Sequence, residues 1–291
     1  MIDTSKKTTG KRPAPIDESP IVIGCIGGSG SRLVSQLVMM QDYYFGHCKN
    51  KAQDNLWFSF LFRRLAALKA PYDEFQILMD IFVKKMNNST LNNDEIKLIN
   101  QIAQETHTLP KHVVTRSLSS LIDNNANDIK CNKWGWKEPN SHLFVPEIYK
   151  YFPQSKYIYI IRHPLDMAFS DNQNQLKFWG KHFLGENCKI KPYYSLKFWL
   201  LMYSKIKKQQ NKDHKLYILN YDSLVQSPVE TLKQLYDFMG YHVSNKTIQN
   251  LTKLIKPPKS IGRFKMHSLE LFDEKDLELI NKLKLFEQIK F

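Results

Sequence analysis

The feature that most constrains the fold is a glycine-rich turn near the start of the 291-residue chain. The turn directly follows an apolar run at residues 21–26 and directly precedes a helical pattern that starts at Leu33. Glycines let main-chain N–H groups point into such a turn, and the positive end of the following helix dipole adds attraction for an anion. A strand, a glycine turn and a helix in this order predict a phosphate or sulfate site. Its candidate residues are Gly27, Gly28, Ser29, Gly30, Ser31 and Arg32.

The spacing within the turn excludes two common phosphate-binding patterns. A Walker A loop requires GxxxxGK[ST], whose Lys reaches the β- and γ-phosphates and whose hydroxyl binds Mg²⁺. Here Ser31 and Arg32 follow Gly30, and no predicted strand ends in an obvious Walker B aspartate. The dinucleotide fingerprint GxGxxG does not match either. A tight structural turn without a ligand is the alternative that the loop alone leaves open.

A second candidate anion site follows a short β-rich run at residues 156–161. The run ends in Arg162, and Pro164 suits the first turn of a helix. Arg162 is therefore expected at the carboxyl end of a strand, where ligands bind in open α/β sheets. Its guanidinium and the hydroxyl of Ser170, about two turns into the predicted helix, could hold a second phosphate. A salt-bridged Arg and a Ser inside a helix are the alternative.

Between these two segments lies WGWKEP at residues 134–139. Together the three segments resemble the PAPS-dependent sulfotransferase family, in particular its branch with an SGT or SGS loop, a KxP element and an RxPxDxxxS element. The resemblance implies that residues 28–32 bind the 5′-phosphosulfate of 3′-phosphoadenylyl sulfate (PAPS), and that Arg162 and Ser170 bind its 3′-phosphate. Tyrosylprotein sulfotransferases have a Lys in a KDP element that contacts the transferring sulfate, which implies the same role for Lys137.

Two later segments extend the resemblance. KLYILN at residues 215–220 resembles the family's strand, and the YDSL that follows resembles its YExL element. The helix ending in FMG resembles the family's PxxxLxxLxxFLG helix. SIGRFK at residues 260–265 resembles its C-terminal GRW-type loop, which closes over the cofactor, and this implies a cofactor contact for Arg263. Two departures are Arg32, where many members have Thr, and Phe264 in place of the usual Trp. The resemblance covers roughly residues 20–40 and 130–265.

The chain is expected to form one sulfotransferase-like α/β domain over residues 20–291, preceded by a flexible tail at residues 1–19. Strands that are each followed by a helix indicate a parallel sheet with right-handed crossovers, and the family resemblance implies a three-layer arrangement of the P-loop type. A mostly helical insertion at about residues 54–125 interrupts this alternation. The predicted strands are 21–26, 133–137, 156–161 and 215–220, the first helix is 31–41, and the polar stretch 87–94 is a predicted loop.

The insertion is where acceptor specificity is expected, because it should stand over the carboxyl edge of the sheet. Its aromatic residues, and three tryptophans elsewhere, fit a hydrophobic core better than an acceptor cage. These residues are Trp57, Phe58, Phe60, Phe62, Phe75, Trp134, Trp136 and Trp179. The sequence does not name the acceptor, so a small molecule, a carbohydrate and a protein tyrosine all remain open, as does the oligomeric state.

Composition limits the class of protein without assigning a function. The formal net charge of +14 is compatible with polyanionic ligands or acidic acceptors. Much of the excess is lysine scattered along predicted helices, and no basic stripe interleaved with aromatics is found, so nucleic-acid binding is not expected. The absence of a signal-peptide pattern and of about 20 consecutive apolar residues predicts a cytoplasmic protein without a membrane span. The four cysteines form no CxxC pair and are typical of reduced thiols: Cys25, Cys48, Cys131 and Cys188.

Sulfuryl transfer requires charge stabilisation, in-line placement of the acceptor and a base. Loop amides, Arg32 and Lys137 can supply the first, and these cations make a metal ion unnecessary. Related members place the base after the first helix, where this chain offers His47 and Asp54. We favour Asp54, because it begins the insertion and should face the cleft, although an Asp that caps a helix is the alternative. Glu138 is a third candidate.

Three hypotheses about function follow. The leading one is an O-sulfotransferase that transfers the sulfuryl group of PAPS to a hydroxyl acceptor. A P-loop kinase or NTPase is the enzyme alternative, and it predicts Mg²⁺-dependent ATP turnover. A nucleotide-binding or interaction module on the same scaffold is the non-enzyme alternative, because a fold does not fix a function.

Overall fold

The computed structural model describes residues 19–123, 133–212 and 215–286. The predicted tail at residues 1–19 lies outside these ranges except for its last residue, and Cys131 lies outside them as well. Cys25, Cys48 and Cys188 are free thiols. None of the helices in the described ranges combines the length and apolarity that crossing a membrane requires.

A parallel sheet forms the centre of the molecule. Its strands are β1 (Ile21–Cys25), β2 (Tyr43–Tyr44), β3 (Lys133–Lys137), β4 (Lys156–Ile161) and β5 (Leu216–Asn220). They lie in the order β2-β3-β1-β4-β5, and every adjacent pair is parallel. The predicted parallel α/β sheet is confirmed. Strand β2 was not predicted, because two residues are too few to show a period of two.

Helices flank the sheet. Those before β3 are α1 (Ser31–Met39), α2 (Leu56–Phe62), α3 (Leu65–Lys69), α4 (Tyr72–Met86), α5 (Asn93–Glu105) and α6 (Lys111–Ile122). Those after β3 are α7 (Val145–Tyr151), α8 (Pro164–Ala168), α9 (Asn174–Leu184), α10 (Pro192–Gln210), α11 (Tyr221–Gln226), α12 (Pro228–Met239), α13 (Asn245–Thr252) and α14 (Glu274–Leu283). Short 3₁₀ helices span Pro139–Phe144 and Arg263–Met266.

Alternate strand residues enter two hydrophobic cores on opposite faces of the sheet. In β4, Ile158 and Ile160 pack into a core that α1 and α12 complete, whereas Tyr157 and Tyr159 pack into the other core. This alternation follows from the pleat of a strand, in which successive side chains point to opposite faces. The sheet is therefore the middle of three layers, as expected.

Helices α2 to α6 form the predicted insertion, and the loop between α4 and α5 falls within the predicted polar stretch. The aromatic residues of the insertion are core, as expected. Phe58 stacks on Phe62 with ring centroids 4.4 Å apart and on Trp136 of β3 at 5.5 Å. The remaining members of the set are buried as well: Trp57, Phe60, Phe75, Trp134 and Trp179. This packing fixes α2 beside β3.

The carboxyl ends of the parallel strands meet at one edge of the sheet. The register pairs Cys25 of β1 with Ile160 of β4, and Ile23 of β1 with Lys137 of β3. The segments that follow β1, β3 and β4 therefore begin next to one another. In open α/β sheets this edge is where ligands bind.

Candidate active site

The glycine turn predicted from the sequence joins β1 to α1. Gly28 and Gly30 have φ angles of 96° and 87°, which glycine adopts at little steric cost. Packing also excludes a side chain at position 30, because a Cβ atom there would lie 2.1 Å from the ring of Tyr221. Both the backbone of the turn and its neighbour on α11 therefore require glycine.

Two residues of the turn hold the loop in place. The Gly27 N–H donates to Gln175 Oε1 at 2.6 Å, and the Ser29 hydroxyl donates to the Ile26 carbonyl oxygen at 2.6 Å. Gln175 Nε2 also donates to the Cys25 carbonyl oxygen at 3.2 Å. Sequence analysis missed Gln175, because it lies on α9, 148 residues beyond Gly27, and nothing local marks it.

The start of α1 leaves main-chain donors available. Gly30 is the N-cap residue and has no side chain to form a capping hydrogen bond. The Leu33 N–H donates to the Gly30 carbonyl oxygen at 3.1 Å, and the two N–H groups before it, at the first positions of the helix, have no intrahelical acceptor. Ser31 is buried whereas Arg32 is exposed at this helix start. Free N–H groups and the helix dipole together attract an oxyanion.

Arg162 lies directly after β4, as the sequence predicts, and its side chain is buried. Nη2 donates to Ser260 Oγ at 2.9 Å and lies 3.8 Å from Asp166 Oδ2, while Nη1 donates to the Gly28 carbonyl oxygen at 3.4 Å. The buried Nε has no hydrogen-bond partner among the described residues. A buried guanidinium with a spare donor at the edge of the glycine turn suits an anionic ligand.

Ser170 lies beside the same turn. A Cβ atom on Gly28 would be 3.5 Å from Ser170 Oγ. The expectation that Ser170 lies inside a helix is wrong, because α8 ends at Ala168. Ser170 Oγ instead accepts from the Asn172 N–H at 3.3 Å. The early end of α8 is what brings this hydroxyl to the turn.

Asp166 ties the C-terminal loop to the site, a role that sequence analysis missed. Its Oδ2 accepts from the Gly262 N–H at 2.8 Å, and its Oδ1 accepts from the Phe264 N–H at 3.2 Å. A signal was present, because Asp166 is the Asp of the RxPxDxxxS element. Phe264 stacks on His163 with ring centroids 4.4 Å apart, so the ring that replaces the family's usual Trp is packed against the protein.

Arg263 lies close to Arg162. Its Nη1 donates to the Phe169 carbonyl oxygen at 3.3 Å, and its Nε donates to the Ser260 carbonyl oxygen at 3.4 Å. Because Ser260 also accepts from Arg162, the two guanidinium groups flank one residue. We refer to the turn at residues 27–32 together with Arg162, Ser170 and Arg263 as the cradle.

Lys137 ends β3 and is buried in an ion pair with Asp54. Its Nζ also donates to the Ala52 carbonyl oxygen at 3.1 Å. Because Lys137 is aligned with Ile23 of β1, the pair lies at the same edge of the sheet as the glycine turn. The structure therefore brings the two predicted catalytic residues together.

A short turn before α2 orients the Asp54 carboxylate. Asn50 Nδ2 donates to Asp54 Oδ2 at 2.7 Å, and Asn50 Oδ1 accepts from the Asp54 N–H at 2.9 Å. The N-cap of α2 is Asn55, whose side chain accepts from the Phe58 N–H at 3.1 Å. Asp54 does not cap this helix, so that alternative interpretation is wrong.

Glu138, the third candidate base, is committed to structure. Its Oε2 accepts from the Asn140 N–H at 2.6 Å, and its Oε1 accepts from Ser59 Oγ at 3.1 Å. Burial, with a smaller effect of the nearby Asp54 charge, raises the pKa of Glu138. The carboxylate caps a 3₁₀ helix and ties it to α2, which argues against a role as base.

His47 lies apart from the Lys137–Asp54 pair. Its Nε2 is 3.4 Å from Ser120 Oγ on α6, and its ring packs edge-on against Trp57 on α2 with centroids 4.6 Å apart. Burial, together with the nearby charge of Lys85, lowers the pKa of His47. Its Nδ1 also lies 3.4 Å from the Tyr44 hydroxyl oxygen on β2. Its contacts within the described ranges are therefore with β2, α2 and α6 rather than with Lys137.

A buried hydrogen-bond chain links the cradle to the region of Lys137. Asn140 Oδ1 accepts from Gln175 Nε2 at 3.2 Å and from Trp179 Nε1 at 2.8 Å, and Asn140 Nδ2 donates to Glu138 Oε1 at 2.8 Å. The chain thus runs from Gln175, which holds the Gly27 N–H, to the neighbour of Lys137. Sequence analysis missed Asn140, since its partners on α9 are distant in sequence.

Solved structures resemble this chain at low sequence identity. Sulfotransferase STF9 from Mycobacterium avium matches at 12% identity and a TM-score of 0.47, with 95% of this chain and 78% of that chain covered. Retinol dehydratase in a complex with retinol and PAP matches at 16% identity and a TM-score of 0.44, with 96% of this chain and 84% of that chain covered. A mouse sulfotransferase complexed with PAP matches at 13% identity and a TM-score of 0.42, with 91% of this chain and 83% of that chain covered. At these scores the likenesses support no statement about this chain's own ligands.

A comparison with curated protein sequences gave no significant match. A family model described as the sulfotransferase family, however, matches residues 20–245. The match covers most of the chain and includes the glycine turn, Lys137, Arg162 and Ser170. It confirms the resemblance found in the sequence and does not favour a kinase or NTPase. The chain therefore belongs to the sulfotransferase family, whose reaction is sulfuryl transfer.

Proposed function

We propose that this protein transfers the sulfuryl group of PAPS to a hydroxyl group of an acceptor. The observation that carries the proposal is the meeting of two anion-binding elements at Gly28. Arg162 donates to its carbonyl oxygen at 3.4 Å, and Ser170 Oγ lies 3.5 Å from the position of a Cβ atom there. PAPS carries two separate anionic groups, and the proposal assigns the 5′-phosphosulfate to the turn and the 3′-phosphate to Arg162 and Ser170.

The donors of the cradle fit such a ligand. Main-chain N–H groups, guanidinium groups and a hydroxyl all donate to phosphate and sulfate oxygens. Arg162 Nε is a buried donor without an acceptor in the described part of the chain. Asp166, the carboxylate beside Arg162, already accepts from two main-chain N–H groups. The guanidinium therefore keeps hydrogen-bonding capacity for an anion.

Lys137 and Asp54 are the residues proposed to act at the reacting atoms. When bound, PAPS would supply the sulfuryl group, and adenosine 3′,5′-bisphosphate would be the leaving group. Lys137 Nζ stabilises the negative charge that develops on the oxygens of the transferring group. Asp54 accepts the proton of the acceptor hydroxyl. Because the two side chains are paired, an anion beside Lys137 competes with Asp54 for the ammonium group. That competition would release a carboxylate oxygen for the acceptor.

The turn is a poor match to Mg²⁺-ATP chemistry. Ser31 and Arg32 follow Gly30, where a Walker A loop has Lys and then a Mg²⁺-binding hydroxyl. The non-catalytic alternative shares the cradle and differs from the proposal only in turnover. A test of turnover needs a panel of acceptors, and because the acceptor is not identified the panel includes small hydroxylated molecules, carbohydrates and tyrosine peptides.

Calorimetric titration of the purified protein with adenosine 3′,5′-bisphosphate (PAP), with ATP plus Mg²⁺ in parallel, tests the proposal. Binding of PAP without binding of ATP is expected, because the cradle has donors for a 3′-phosphate and lacks the Walker A lysine. Binding of ATP alone, or of neither nucleotide, would contradict the assignment of the cradle. Transfer of labelled sulfate from PAPS to any member of the acceptor panel then separates an enzyme from a binding module.

A further inference from the structure

We propose a second ligand site, for an amphiphilic anion, in a cavity between α9, α10 and the segment that leads from β3 into α7. The cavity has a volume of about 490 Å³. The residues that line it are separate from the cradle and from the Lys137–Asp54 pair. Its walls combine an apolar floor with a basic rim, and these two features define the class of ligand.

The floor of the cavity is apolar. Leu143, Val145, Met202 and Ile206 contribute to it, and the last three are almost fully buried in the surrounding core. Small-molecule sites are concave, mostly apolar, and typically about 300–1,000 Å³ in volume. The size and the lining therefore suit the apolar body of a small molecule, whose transfer from water is favourable.

The rim of the cavity is basic. Lys205 and Lys208 on α10 and Lys212 just beyond it follow at spacings of three and four residues, which places them on one side of the helix. Among the described residues, no Asp or Glu lines the cavity and these lysines form no salt bridge. Burial lowers the pKa of Lys205, consistent with an ammonium group that no carboxylate meets. A rim of one sign of charge selects an anion.

His142 adds a polar group to the wall. Its side chain is 6% exposed, and its Nδ1 lies 2.7 Å from the Pro139 carbonyl oxygen. Nδ1 therefore carries the proton of the neutral ring, which leaves Nε2 as an acceptor. Burial lowers the pKa of His142 to about 4. Nε2 has no partner among the described residues, so a ligand hydroxyl or N–H that reaches it would satisfy an unmet hydrogen bond.

The probe 8-anilino-1-naphthalenesulfonate has one group for each part of the cavity. Its apolar ring system suits the floor, its sulfonate suits the basic rim, and its N–H group suits His142 Nε2. Calorimetric titration of the full chain is expected to show binding at a single site. The double variant Lys205→Ala, Lys208→Ala should bind it about three- to tenfold more weakly, because each exposed ammonium group adds a modest attraction for the sulfonate. The analogue 1-anilinonaphthalene, which lacks the sulfonate, should lose a similar factor.

Two variants serve as matched controls. Lys207 is on the same helix, but its Nζ donates to Gln210 Oε1 at 2.7 Å and it does not line the cavity, so Lys207→Ala should bind the probe normally. Arg162→Ala should also bind it normally, which separates this site from the cradle. Absence of probe binding, equal loss in Lys207→Ala, loss in Arg162→Ala, or equal binding of the analogue would each overturn the proposal. Thermal melts of every variant verify that the fold is intact.

Discussion

The cradle and the Lys137–Asp54 pair lie at the same edge of the sheet, yet their polar groups are satisfied in opposite ways. In the cradle, Arg162 Nε has no partner within the described ranges and α1 begins without a side-chain cap. In the pair, a buried ammonium group and a carboxylate already satisfy each other. Under the proposed function, the cradle can accept an anion as it stands, whereas the pair has to open before it acts.

The proposed function assigns nucleotide binding to the cradle and the chemical step to the Lys137–Asp54 pair. Substitutions in the cradle should mainly change the affinity for the nucleotide, whereas substitutions in the pair should mainly change turnover. Each prediction below therefore compares two quantities. These are the Kd for PAP, measured by calorimetry, and kcat, measured on an acceptor that the unmodified protein sulfates.

The largest effect is expected for Asp54→Asn. Loss of a general base lowers turnover by about 10²–10⁴-fold. Affinity for PAP should stay about the same, because PAP lacks the transferring group that Lys137 is proposed to contact. Asp94→Asn is the matched control, since Asp94 also pairs with a lysine, Lys97, at 3.6 Å but on the exposed surface. Near-normal kcat in Asp54→Asn would remove Asp54 as the base and return attention to His47.

Lys137→Ala is expected to lower kcat by about 10²–10³-fold, the usual cost of losing one preorganised donor to developing charge. Affinity for PAP should fall much less, because PAP lacks the transferring group. Lys97→Ala supplies the exposed control. If Kd and kcat fell by the same factor, Lys137 would be a ground-state binding residue. A thermal melt is needed alongside, since the variant leaves Asp54 without its buried partner.

Arg162→Ala should weaken PAP binding by about 10–100-fold, because hydrogen bonds to charged groups are worth about 1.5–3 kcal/mol. At saturating nucleotide, kcat should change far less. Arg116→Ala is the control, as the Arg116 guanidinium also donates to a main-chain oxygen, that of Lys49 at 3.0 Å, but from an exposed position on α6. Unchanged affinity in Arg162→Ala would refute the 3′-phosphate assignment.

The smallest effect is expected for Arg32→Thr, which introduces the residue that many family members have. Arg32 is exposed, and exposed charge pairs contribute about 0–1 kcal/mol. Affinity for PAP should therefore fall by less than about fivefold, and the loss should shrink as salt concentration rises. A loss as large as that of Arg162→Ala would place Arg32 in direct, water-excluded contact with the nucleotide.

The parts of the site predicted from sequence are those that local patterns determine. The glycine turn and Arg162 each follow directly on a strand, so the strand pattern also placed the site residue. The parallel sheet could also be predicted from local patterns, because each strand pattern is followed by a helix pattern. Strand β2 and the early end of α8 could not, because two residues show no period and nothing in the sequence required a stop at Ala168.

The remaining parts depend on contacts between distant segments. Gln175 holds Gly27, and Asn140 joins Gln175 to Glu138, through side chains that no local pattern distinguishes from ordinary surface amides. Asp54 was placed in the cleft by its position, but its orientation by Asn50 is a property of the folded turn. Asp166 is the exception, because its motif position was visible and only its partners were not.

The contact between Gly30 and Tyr221 has an evolutionary consequence. The Tyr221 ring occupies the space that a side chain at position 30 would need, and Arg162 lies over the same ring at 5.7 Å. A change at position 30 therefore cannot be accepted alone, since it displaces the ring that supports Arg162. A smaller residue at position 221 would not restore the site, because the positive φ angle of Gly30 also disfavours every other residue. Among related chains, we therefore expect glycine at position 30 whatever residue stands at position 221.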